Sequence, residues 1–397
     1  MRPQKVTFTL LLVLLLHSVL AAGHVPLIGG GNEDISSALH ISNPAKSWAI
    51  YAVLEKENAH YFSFDVREGE RIYLGLLKST DPADEVFLPD LLIMGPGIGE
   101  MSSSSLPQPD GSAYSEASAT ITIPNGTVLI ESSALPKEIV IPESLKGLGI
   151  LAAYGREGRA TYEPFGPSSY IKVAEINLSA PQSGRYYAVV YDSGMNDSIK
   201  EDSSVAEDNE ADAKRGGHYS LVVGYREEFS FTDRMIAPIQ IASVYMWEGQ
   251  SLIMILIPFL VALIAGGLIY WRGSRHGPFS LAGILAGFLF LGTSSLVLTQ
   301  MIYSLTRAPY GPEVYITMVI ILFHAILGVA SIRLARGEAG ILQRSLLAVI
   351  GTIALLGGSG MILGPILGIA ASFLPNRRSS APLFITTIYI HHQSRCR

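Results

Sequence analysis

"SLIMILIPFLVALIAGGLIYW" (251–271) contains no charged residue. A helix needs about 20 apolar residues to cross a bilayer core some 30 Å thick, and this stretch supplies them. Three more apolar segments follow it: Phe279–Ile302, Val314–Ile332 and Ser345–Leu374. Across the four, His324 is the only His, Asp, Glu, Lys or Arg. The pattern predicts a polytopic membrane protein with four transmembrane helices over 246–375 and a tail at 376–397.

Working outward, the chain divides by charge. Residues 24–250 hold 32 acidic and 16 basic side chains, net −16, whereas 251–397 hold 2 acidic and 10 basic, net +8. An N-terminal half this acidic excludes nucleic acid as a partner. The single cysteine, Cys396, allows no intrachain disulfide, so the folded regions rest on packing. Residues 1–23 read as a signal peptide: Arg2 and Lys5 precede the apolar run Phe8–Leu16, and Ala21-Ala22-Gly23 are small.

Between the signal and the helices, 24–245 reads as an all-β extracytoplasmic sandwich. Short β-rich runs recur between turn signals. His60–Val66 and Arg71–Leu77 flank Arg67-Glu68-Gly69-Glu70, which predicts a hairpin. Ser118–Ile123 and Thr127–Ser132 flank Pro124-Asn125-Gly126, which predicts another. Gly95-Pro96-Gly97 ends the run Leu91–Met94. Arg185–Asp192 and Gly217–Tyr225 are expected to pair around an acidic loop, 193–215. That loop carries seven acids between Asp197 and Asp212. Such a run is ordinarily a solvated segment; the sharper alternative is a calcium site, although its spacing matches no EF-hand.

"HYFSFDVREGERIYLGL" (60–76), "GRYYAVVYDSG" (184–194) and "GHYSLVVGY" (217–225) form an ordered set of motifs. The set resembles the pre-peptidase C-terminal (PPC) domain, a jelly-roll-like sandwich of secreted and surface proteins. The resemblance implies a role in binding or secretion and carries no catalytic residues. "YEPFGPSSY" (162–170) departs from it.

Four crossings after a cleaved signal place the N-terminal domain outside a cell membrane. Arg272, Arg275, Arg333, Arg336 and Arg344 then lie inside, in keeping with the positive-inside rule. The tail breaks the rule, because Arg377, Arg378, Arg395 and Arg397 would lie outside. The fourth segment is also long for one span and contains Gly357-Gly358-Ser359-Gly360. A kinked, tilted or re-entrant path is therefore open.

Candidate chemistry is sparse. His324 is read as interhelical hydrogen-bond glue, with a functional intramembrane site as the alternative. A mature N-terminal His24 offers an amine and an imidazole to copper, with His40, His60 and His218 as further ligands. Gly357-x-Ser359-Gly360 is similar to the serine motif of rhomboid-like intramembrane proteases, but those have six core helices and place the serine helix before the histidine helix. Asn125, Asn177 and Asn196 head glycosylation sequons. The preferred reading is non-enzymatic: a membrane-anchored protein binding an extracytoplasmic protein or carbohydrate, with a helix-packing partner in the bilayer. Copper handling and intramembrane hydrolysis are the alternatives.

Overall fold

The computed structural model describes residues 24–375 except 57, 102–126, 131–134, 136–138, 140, 142–147, 193–215 and 274–276. The signal segment, the acidic loop, the Pro124-Asn125-Gly126 turn, Asn125, Asn196 and the tail lie outside the described residues.

The N-terminal region is all-β. One six-stranded sheet runs in the order β1 (Val25–Ile28), β3 (Trp48–Leu54), β12 (Gly217–Val223), β5 (Arg71–Ser79), β10 (Ser168–Ser179), β9 (Ala160–Glu163). The other runs β2 (Leu39–His40), β4 (Ala59–Val66), β11 (Gly184–Tyr191), β6 (Asp90–Gly95), β8 (Gly149–Ala153), β7 (Thr127–Ile130). The sheets share a core. Ile50, Leu74, Leu76 and Leu221 from the first pack with Phe62, Phe64, Ile93 and Val190 from the second. The far face of β4 is covered too: Tyr61 joins Leu92, Val189 and Ile139 in a second cluster. Consequently "HYFSF" is buried on both faces.

Two predicted pairings are corrected. β4 and β5 belong to different sheets, so the turn at 67–70 is an arch and not a hairpin. The turn hydrogen bonds to the neighbouring corner instead, Gly69 N to Ala180 O at 2.9 Å and Ala180 N to Glu70 O at 2.8 Å. β11 and β12 likewise lie in opposite sheets, β11 between β4 and β6 and β12 between β3 and β5.

Helices begin earlier than the sequence reading placed them. α1 (Phe231–Trp247) opens with a Ser230/Asp233 capping box and contains Pro238. Three helices are long and apolar enough to cross a membrane: α2 (Leu252–Arg272), α3 (Pro278–Leu305) and α4 (Val314–Arg336). The expected fourth span is instead two shorter helices, α5 (Ile341–Leu356) and α6 (Leu363–Phe373). At 1.5 Å per residue they are only about 24 and 16 Å long. The break between them has positive φ at Gly358, Gly360 and Met361.

α5 and α6 fold back on each other. Gly351 and Gly368 face across the hairpin so closely that a Cβ on Gly351 would press on Pro365 O and Ile369 N. The open ends are tied together, Arg344 Nη1 donating to Ser372 O at 2.8 Å. They sit beside the start of α3, where Phe279 N donates to Pro375 O at 3.3 Å. The tip reaches the middle of α3, with Gly360 N donating to Thr293 Oγ1 at 2.7 Å.

The two regions are docked. Tyr162 and Thr317 share a 2.6 Å hydroxyl contact, and Thr317 donates to Pro164 O at 2.8 Å. Trp247 Nε1 donates to Ala52 O at 3.1 Å, and Lys46 pairs with Asp233 at 2.6 Å.

Candidate functional site: a cavity between the sheets and the helices

Docking leaves a cavity of about 210 Å³ between the two regions. β1, β3 and the β9–β10 corner roof it, α1 walls one side, α2, α3 and α4 continue the wall, and the α5–α6 tip floors it. The upper part carries His24, Tyr51, Glu163, Ser168, Tyr170 and Arg234. Phe259, Leu296, Val297, Ile320 and Met361 form an apolar stretch below, and Thr293, His324, Gly357 and Gly358 also line it.

His324 is 3% exposed, and its Nδ1 has no hydrogen-bond partner among the described residues. No interhelical bond through Nδ1 is therefore formed among the described residues. Ser359 is fully buried at the tip, and its Oγ is likewise unpartnered. A serine nucleophile needs its hydroxyl on a base. Ser359 Oγ and His324 Nδ1 each lack any partner, so no serine–histidine bond through that nitrogen exists here.

His24 is exposed at the rim, its Nδ1 bonded to Ser47 Oγ. The other histidines expected to join it are engaged elsewhere. His40 contacts Ser63 at 3.3 Å, His60 the Tyr219 hydroxyl at 2.7 Å and His218 the Asp84 carboxylate at 2.9 Å. Among the described residues no three His, Cys, Asp or Glu gather as a metal site. Asn177 is half-buried in β10 and accepts from Arg71 Nε at 3.0 Å.

Sequence reasoning missed the charged residues of the cavity. Glu163 accepts from Phe165 N at 3.2 Å, and burial raises its carboxyl above the ordinary range. The half-buried Arg234 side chain has no hydrogen-bond or ionic partner among the described residues, whereas the adjacent Asp233 is taken by Lys46 and Ser230. One signal did point here: Glu163, Ser168 and Tyr170 come from "YEPFGPSSY", the stretch that departs from the PPC pattern.

The fold and cavity define a chain with an all-β region in two sheets and a helical region carrying three membrane-length helices. No protein-family model and no curated protein matches it. Among solved structures it pairs with CorA of Methylomicrobium album BG8, a surface-associated copper-binding protein, at 12% identity. The match covers 51% of this chain and 98% of that one, with a TM-score of 0.19, which is too low to bear on fold or function.

Proposed function

We propose that the protein is a membrane-anchored binding protein. Its sandwich lies outside the cell membrane, and its ligand occupies the cavity between sandwich and helices. One observation carries this reading: His324, buried and with its Nδ1 unpartnered among the described residues, lines a cavity shared by both regions. A polar group left unpaired in an apolar setting costs on the order of 1–3 kcal/mol, so an occupant that supplies the bond is favoured. Irregular backbone at membrane depth is tolerated only where protein buries it or it lines a cavity, and the Gly357–Ile362 break meets that condition. The PPC resemblance supports binding over catalysis.

Charge supports the orientation. If α5–α6 is re-entrant, three spans cross the bilayer and the tail emerges beside Arg272, Arg333, Arg336 and Arg344. Arg377, Arg378, Arg395 and Arg397 then join them on the inner face, and the conflict with the positive-inside rule disappears.

Native mass spectrometry of the full chain in mild detergent tests the binding reading. The wild type should carry a bound small molecule. Leu296→Trp and Ala237→Phe, which fill the cavity, should lose it while eluting unchanged on gel filtration. A wild type that is always ligand-free would contradict the proposal, as would a ligand retained by both variants.

A further inference from the structure

We infer that the cavity takes the head and upper chain of an anionic amphiphile, an apolar chain ending in a carboxylate or phosphate, with the head held by Arg234 and the rest of a long chain continuing into the bilayer. This rests on the binding reading above and adds the ligand's class.

The cavity is graded from polar to apolar. Its upper end offers Arg234 with the Tyr51, Ser168 and Tyr170 hydroxyls, and apolar residues of α2–α4 follow below. The grading has a direction relative to the helices. Thr317 is fixed to the sheets at Pro164 O, and His324 lies two turns further along α4, roughly 10 Å deeper. The upper end is therefore at head-group level and the lower end is within the hydrocarbon.

The charge at the upper end is unspent. Arg234 is a fixed cation without an acidic partner among the described residues, and a guanidinium binds a carboxylate or phosphate through paired N–H donors. Glu163, the acid on the wall, accepts from Phe165 N and makes no ion pair with Arg234 among the described residues. Access from the bilayer is provided by α1, whose outer face carries Phe231, 65% exposed, and Ile239, 52% exposed. Apolar side chains beside a basic one on a helix preceding the first span suit an interfacial helix.

Trp247 provides the readout. Its ring lies 5.0 Å from that of Tyr51 on the cavity wall and is itself buried. In a full-length Trp48→Phe/Trp271→Phe protein in detergent, 9,10-dibromostearate should quench Trp247 saturably. Its methyl ester, with the same chain and no charge, should bind about tenfold more weakly or worse. Arg234→Gln should weaken the acid to the level of the ester, and Arg234→Lys should restore part of the difference. Displacement by octadecyl phosphate would show that the site accepts phosphate heads; failure to displace would assign it to carboxylates.

Equal quenching by acid and ester, or unchanged acid binding by Arg234→Gln, would overturn the anionic head while leaving the cavity reading intact. Absence of saturable quenching would overturn the amphiphile; joined to a ligand-free native mass, it would sink the binding reading as well.

Discussion

Glu248 is fully buried where the sheets meet the helices, accepting from Ser169 N at 2.7 Å through Oε1 and leaving Oε2 unpartnered among the described residues. Burial pushes its carboxyl up to about 7 from the ordinary 4.5, against the pull of the Ser169 amide and Arg307. A folded-state value above the unfolded one means that protons favour the docked state. The contribution is fully present below about 4.5 and is lost as pH rises through about 7. It amounts to on the order of 3 kcal/mol at most. The protein should therefore melt at a higher temperature at pH 5.5 than at pH 8, and Glu248→Gln should remove that part of the difference; a pH dependence identical in the variant would refute the assignment. A second residue-scale case is Gly95, where a Cβ would collide with the Tyr186 ring. Gly95→Ala should cost at least about 2 kcal/mol in thermal or denaturant unfolding, as overpacking does. Gly95 was legible in part, since Gly95-Pro96-Gly97 reads as a strand breaker. Glu248, Glu163 and Arg234 were not, because a buried or unpaired charge is identical in sequence to a solvated one.

At the scale of elements, the sequence located the strands well and paired them poorly. The predicted run His60–Val66 is β4 within one residue. The error lay in the partners: β1 to β6 alternate between the two sheets, so the turn joining β4 to β5 bridges the layers. A Glu-Gly turn looks alike in a hairpin and an arch; long-range packing decides between them. The fourth apolar segment has a similar lesson. Length and composition suit a span; the break at Gly358–Met361 and the close contact of Gly351 with the chain near Gly368 turn it back. Replacing Gly351 with Leu should wedge the hairpin apart and lower the melting temperature by several degrees, consistent with overpacking of about 1–3 kcal/mol. An unchanged melting temperature would mean that α5 and α6 do not pack as described.

For the whole molecule, charge and hydropathy were enough to separate an acidic β region from a basic helical one. They gave no sign that the two dock, because the docking contacts are scattered from Lys46 to Thr317: hydroxyl and amide bonds, the Lys46–Asp233 pair, and Tyr162 packed on Met301, Ala308 and Val314. The cavity arises from that docking and was correspondingly invisible. On the re-entrant path proposed above, the hairpin enters and leaves on one face, so the crossings are odd in number and the sandwich and the tail fall on opposite sides. Cys396, the single cysteine, reports the side of the tail without any substitution. Intact cells should be treated with a membrane-impermeant maleimide, with protease digestion of the sandwich scored in parallel. The account predicts that the sandwich is cleaved while Cys396 reacts only after permeabilisation; sandwich and Cys396 both accessible from the same side would contradict it.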